Sequence, residues 1–121
     1  MSVAEWLETR IEGDVLVARL SGEIDLANAG PIGSEISRGV GNDLAGVVLD
    51  LSTTSYLDSS GVHLVFDLAE RLASRQQCLA LVLPEGARVR RVLELVNVSA
   101  VAPVVPVLDE ALTRVRGGGG R

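Results

Sequence analysis

Residues 47–61, VVLDLSTTSYLDSSG, decide the fold of this chain. The run Val47–Leu51 is almost entirely apolar, which predicts a strand of a parallel sheet that is buried on both faces. A short polar loop is predicted next; it ends in Asp-Ser-Ser-Gly, and a helical pattern then begins at once. Ser59 and Ser60 are therefore expected at a helix N-terminus, where backbone N–H groups lack partners. A serine there either caps the helix or offers a place for a phosphate.

The composition limits the class of protein. The chain has 121 residues, 47% hydrophobic and only 2% aromatic, which predicts one domain with an aliphatic core. A net charge of -5 argues against nucleic acid as the main partner. No apolar run approaches the roughly 20 residues that span a bilayer, and no signal-peptide pattern opens the chain. The single cysteine, Cys78, excludes an internal disulfide, which fits a cytoplasmic location.

Strand and helix patterns alternate along the rest of the chain. Strands are predicted at 15–20 and 78–83 and, more weakly, at 6–11 and 101–105, with a hairpin turn at 12–14. Further helices are predicted near 31–40, from about 87 to 95, and at 108–115. This order predicts an α/β fold, a mixed sheet of four to five strands with helices packed mainly on one face. Residues 116–121 are expected to form a flexible glycine-rich tail.

The helix that follows Ser60 has the clearest amphipathic pattern. Its predicted apolar face consists of Val62, Val65, Phe66, Ala69 and Leu72. Leu64 falls off that face, so it is either a boundary residue or an exposed apolar contact for a partner.

His63 is the only histidine of the chain. Because no second histidine and no nearby cysteine accompany it, no metal site is expected, and His63 is predicted to be a solvated helix residue. No phosphate loop of the Walker type and no nucleophile–histidine–acid set occurs, so neither an enzyme nor a bound cofactor is expected.

Three motifs in order carry a family resemblance: Gly22-Glu-Ile-Asp25, Val48-Leu-Asp-Leu51 and Leu57-Asp-Ser-Ser-Gly61. With the Arg90–Leu95 helix and the ending at 106–112, they resemble the anti-sigma factor antagonists of bacteria, which define the STAS domain. The resemblance covers residues 5–115 and implies the STAS fold for that range.

The resemblance also implies a partner-switching function. Members of this family bind an anti-sigma factor that is also a serine kinase, and so release a sigma factor for transcription. The kinase phosphorylates the serine that follows the motif aspartate, here Ser59, and a serine phosphatase restores the free hydroxyl. The resemblance implies that Asp25 contacts the kinase and that Asp58 shapes the loop before Ser59. The full partner-binding surface is predicted to consist of Asp25, Asp58, Ser60, Gly61, His63 and Leu64. Many members have glycine where this chain has His63, so His63 is a departure that bears on partner choice.

Two other readings stay open at this point. STAS domains also serve as scaffold subunits of larger signalling or lipid-transport complexes, in which no phosphorylation switch would operate. Nucleotide binding by the domain itself is the third reading, although an acidic loop without a metal suits a polyphosphate poorly. The acidic surface and low aromatic content favour a monomer when the protein is free.

Overall fold

A five-stranded mixed sheet forms the centre of the protein. The computed structural model describes residues 2–118. The strands lie in chain order across the sheet; β1 and β2 are antiparallel and all other neighbours are parallel. The elements are β1 (Leu7–Glu12), β2 (Val15–Ile24), α1 (Ala29–Gly39), β3 (Gly46–Leu57), α2 (Ser59–Ser74), β4 (Cys78–Val82), α3 (Arg90–Leu95), a 3-10 helix (Val98–Ala100), β5 (Val104–Val105) and α4 (Leu108–Arg116).

The helices cover the two faces of the sheet unequally. Along β3, Val47, Leu49 and Leu51 point into a large core shared with α1, α2 and α3, whereas Val48 points into a smaller core shared with α4. All four of these side chains are fully buried because a parallel strand between two helical layers meets no water. The predicted α/β architecture, with helices mainly on one face, is confirmed.

The prediction of a polar loop after Leu51 is wrong, because β3 continues to Leu57. Residues 53–57 pair with the end of β2, with Ser21 opposite Thr53 and Ile24 opposite Leu57. The hydroxyl of Thr54 donates to the carbonyl of Leu20 at 2.8 Å, so a buried polar group is satisfied within the sheet. Because β3 continues to Leu57, the carboxyl ends of β2 and β3 lie side by side, and so do the loops that follow them.

The end of helix α4 contacts the turn of the β1–β2 hairpin. Gly13 has a φ of 60° in the hairpin turn, a conformation that favours glycine. Arg116 donates to the carboxylate of Asp14 at 3.0 Å and to the carbonyl of Glu12 at 3.0 Å. Arg116 was expected to open the flexible tail, but it is the last residue of α4. Of the remaining predicted tail, residues 119–121 lie outside the described residues.

Two C-terminal elements are shorter than predicted. Helix α3 begins at Arg90 rather than near residue 87. The extended segment predicted at 101–105 is reduced to the two residues of β5, which pair with β4 at the edge of the sheet. Pro103 and Pro106 flank β5 directly, and proline cannot donate a hydrogen bond to a sheet.

Candidate functional site

The candidate site lies where β2 and β3 end. Ile24 closes β2 and is followed by the loop that leads into α1, while Leu57 closes β3 and is followed directly by α2. The backbone N–H of Asp58 donates to the carbonyl of Ile24 at 3.2 Å and so joins the two ends. The carboxyl ends of neighbouring parallel strands are a common place for functional loops. This geometry brings the loop of Asp25 and the loop of Asp58 together.

Asp58 caps helix α2. One carboxylate oxygen accepts hydrogen bonds from the backbone N–H groups of Ser60 at 2.8 Å and Gly61 at 3.0 Å. The other oxygen accepts from the backbone N–H of Leu26 at 3.1 Å. A serine was expected to provide this cap, but α2 begins at Ser59, so Asp58 occupies the N-cap position and its carboxylate caps the helix.

Asp25 shapes the loop between β2 and α1. Its carboxylate accepts from the backbone N–H of Ala27 at 3.0 Å, and its own N–H donates to the side chain of Asn28 at 2.9 Å. The amide of Asn28 is buried and donates to the carbonyl of Glu23 at 3.0 Å. The loop is therefore held by its own side chains, which fixes where Asp25 meets solvent.

The two serines of the motif differ in exposure. Ser59 is the first residue of α2 and is exposed, whereas Ser60 is half-buried. Within residues 2–118, neither hydroxyl takes part in a hydrogen bond of the protein. Modification of the Ser59 hydroxyl would therefore break no contact that holds the described fold.

Gly61 has a packing role. A Cβ atom at this position would lie 2.8 Å from Cδ2 of Leu57 and 2.9 Å from the carbonyl oxygen of Ile24. Glycine lets α2 start directly against the ends of β2 and β3. Gly61 is buried, which does not favour a direct contact with a partner, and its predicted part in the partner-binding surface stays a prediction.

Leu64 is buried as well, so it is not an exposed apolar contact. Its side chain is 5% exposed, and it packs toward α1, where a Cβ atom on Gly33 would lie only 2.9 Å from Leu64 Cδ1. The predicted apolar face of α2 was too narrow, because α2 packs against both the sheet and α1. Val62 and Phe66, expected inside, are half-buried, whereas Leu64 and Leu68 are buried.

A groove of about 590 Å³ runs between α1 and α2 beside the serines. Small residues of α1 leave this space open, and Leu64 forms part of its floor. The α2 wall is polar, and its members recur every four residues: Ser59, His63, Asp67 and Arg71. Asp67 and Arg71 form an ion pair at 2.9 Å.

Comparison with known proteins gives the family of this fold and site. Residues 7–111 match the STAS domain family. This chain belongs to the STAS domain family. The anti-sigma-F factor antagonist RsfB of Mycobacterium tuberculosis is 31% identical over 104 residues, 86% of this chain and 84% of that protein.

Two solved structures extend the likeness of this STAS domain. An anti-sigma factor antagonist from Mycobacterium paratuberculosis superimposes with a TM-score of 0.78 at 30% identity, over 96% of this chain and 99% of that chain. The unphosphorylated form of the anti-sigma factor antagonist SpoIIAA superimposes with a TM-score of 0.67 at 25% identity, over 92% of this chain and 98% of that chain.

The STAS fold brings most of the predicted site residues to one surface. Asp58, Ser59 and Ser60 lie at the start of α2, and Asp25 lies in the loop that Asp58 contacts. His63 follows one turn later and is exposed in the groove.

Sequence reasoning missed Leu26 in this STAS domain. Its side chain is 80% exposed at the mouth of the groove, between Asp25 and the start of α1. A large apolar residue within the otherwise polar and small segment 25–30 was the signal that could have identified it.

Neither a metal site nor a membrane span was found in the described part of the chain. Residues 2–118 contain no group of three or more His, Cys, Asp or Glu side chains placed to hold a metal ion. No helix within that range is long and apolar enough to cross a bilayer.

Proposed function

We propose that this STAS domain is an anti-sigma factor antagonist that phosphorylation of Ser59 switches off. The observation that carries the proposal is the exposed Ser59 hydroxyl at the first position of α2, beside an exposed leucine and an open groove. Relatives named as anti-sigma factor antagonists support the same function. The partner is an anti-sigma factor with serine kinase activity, whose capture releases a sigma factor.

The binding surface consists of the exposed and half-buried side chains around Ser59. Asp25, Ser60 and His63 contribute polar contacts, and Leu26 contributes an apolar contact at the mouth of the groove. Asp58 acts mainly by holding the two loops in register, since its carboxylate accepts three backbone hydrogen bonds. Rigid loops lower the entropy cost of binding, because little is left to order in the complex.

Phosphorylation changes the charge of this surface without requiring a change of fold. A phosphoserine carries about -1.5 to -2 charges near pH 7. The Ser59 hydroxyl forms no hydrogen bond with residues 2–118, so its modification removes no internal contact. A partner surface complementary to a neutral hydroxyl would meet this charge beside Asp58, and such a mismatch costs several kcal/mol.

The proposal also covers removal of the phosphate and the state of the free protein. A serine phosphatase removes the phosphate and restores binding. The protein acts in the cytoplasm as a monomer when free and does not contact nucleic acid itself, which agrees with its net charge of -5.

The test is phosphate transfer from the anti-sigma factor/serine kinase of the source organism. The full chain is incubated with purified kinase and ATP, and intact mass with fragmentation locates the phosphate. We expect one phosphate on Ser59, none in Ser59→Ala, and a phosphate still located on Ser59 in the matched variant Ser60→Ala. A phosphate on Ser60, or none with any such kinase, would contradict the proposal.

A further inference from the structure

Ser59 and His63 lie one turn apart on the same side of α2. Both line the groove between α1 and α2, and both are exposed. Side chains four residues apart on a helix have Cβ atoms about 5–6 Å from one another, which a phosphate on one and an imidazole on the other can bridge. The inference below rests on the proposed phosphorylation of Ser59.

The helix N-terminus itself offers little to a phosphate here. The N–H groups of Ser60 and Gly61 already donate to the Asp58 carboxylate at 2.8 and 3.0 Å. The N–H of Val62 donates to the carbonyl of Asp58 at 3.0 Å. Only the N–H of Ser59 itself has no acceptor among residues 2–118, so a phosphate on Ser59 would meet the Asp58 carboxylate where it would otherwise find the amides of Ser60 and Gly61.

A protein cation that pairs with such a phosphate would have to come from elsewhere on the surface. The loop beside it is acidic, with Asp25 and Asp58, and the α1 residues that line the groove carry no charge: Ala29, Gly30, Gly33 and Ser34. Of the two basic groups in the described lining, Arg71 is paired with Asp67 at 2.9 Å. Arg71 also lies twelve residues after Ser59, about 18 Å along the helix at 1.5 Å per residue.

We propose that His63 is the phosphate-positioning residue of the modified protein. Its imidazolium donates a charge-assisted hydrogen bond to the phosphate on Ser59 and draws it along the groove, away from Asp58. His63 thus supplies a counter-charge from the same helix that carries Ser59.

The experiment uses the full chain with phosphoserine installed at position 59 during synthesis. The titration of the phosphate between its monoanion and dianion is followed by 31P NMR. A nearby cation favours the dianion, so the midpoint should lie about half a pH unit or more lower in the parent than in His63→Gln. His63→Lys should restore the low midpoint, because it restores a positive charge.

Arg114→Gln is the matched control. Arg114 is exposed on α4, which packs on the opposite face of the sheet, so loss of its charge should leave the midpoint unchanged. Equal midpoints in the parent and His63→Gln would overturn the inference, as would an equal shift in Arg114→Gln. Because the phosphoserine is installed without a kinase, this result is independent of whether a kinase modifies Ser59. Failure of the inference is thereby distinguishable from failure of the proposed function.

Discussion

The carboxylate of Asp58 accepts a hydrogen bond from the backbone N–H of Leu26, 32 residues earlier in the chain, at 3.1 Å. The same carboxylate caps α2 through Ser60 and Gly61. One side chain therefore ties the proposed phosphorylation site to the loop that presents the exposed leucine. A negative charge added at Ser59 acts first on this carboxylate, its nearest acidic neighbour along the chain.

Two substitutions at Asp58 separate its two tasks. Asp58→Ala removes the cap and the link to Leu26, and should lower the free energy of unfolding by about 1–2 kcal/mol. Asp58→Asn keeps a capping oxygen but cannot accept from Leu26 through its amide nitrogen, so its loss should be smaller. Urea denaturation measures both losses. Hydrogen exchange should accelerate at the Leu26 amide in both variants and at the Ser60 amide only in Asp58→Ala. Equal hydrogen-exchange rates of the Leu26 amide in the parent and in Asp58→Asn would contradict a protective hydrogen bond from Leu26 to Asp58.

Gly61 and Gly30 form a matched pair of glycines. Gly61→Ala places a methyl group against Leu57 and the backbone of Ile24, at 2.8 and 2.9 Å, and should cost about 1–3 kcal/mol of stability. In Gly30→Ala the methyl group meets nothing within 4 Å, so the variant should be about 0.4–1 kcal/mol more stable through lower unfolded-state entropy. Thermal and urea unfolding test both. Equal effects of the two substitutions would contradict the close packing at the start of α2.

Leu26 should contribute to partner binding and not to stability. Its side chain is 80% exposed, so Leu26→Ala removes little buried area, while loss of an apolar anchor should weaken binding of the anti-sigma factor/serine kinase about tenfold or more. Leu95→Ala is the control, because Leu95 is 72% exposed at the end of α3, away from the groove. Titration calorimetry gives both affinities. Equal affinities for the two variants would remove Leu26 from the binding surface.

Acid should weaken the contact between α4 and the β1–β2 hairpin turn. The hydrogen bond from Arg116 lowers the pKa of Asp14 from its ordinary value of 3.8. A carboxyl with a lower pKa in the folded state stabilises the fold above its unfolded pKa and loses that contribution as the pH falls through the folded value. Asp14→Asn should therefore lower the unfolding midpoint at pH 7 and make less difference near pH 3. A difference that stays constant between these pH values would contradict the ion pair.

The sequence predicted those parts of the fold in which the order of apolar and polar residues reflects burial alone. The apolar run 47–51 has only one environment available, between two helical layers, and the structure confirms it. The polar continuation of β3 was missed because Thr53, Thr54 and Tyr56 are satisfied by strand pairing, which composition does not reveal. Strand preference depends on such neighbours more than on the residue itself.

The sequence predicted which motifs form the candidate site, but not which of their residues contact one another. Asp58 and Ser59 could be placed at the start of a helix from their order in the chain. The contact of Asp58 with Leu26 could not be predicted from the sequence, because it depends on β2 and β3 ending at the same level of the sheet. Leu64 was misplaced because a single apolar stripe was assumed for a helix that packs against two neighbours.

The most direct test of the switch is the affinity of the anti-sigma factor/serine kinase for two forms of the full chain. One form carries the free Ser59 hydroxyl, and the other carries phosphoserine installed at the same position. We expect the free form to bind and the phosphorylated form to bind at least about 100-fold more weakly, a difference of about 2.7 kcal/mol. Equal affinity of the two forms would contradict a phosphorylation switch at Ser59.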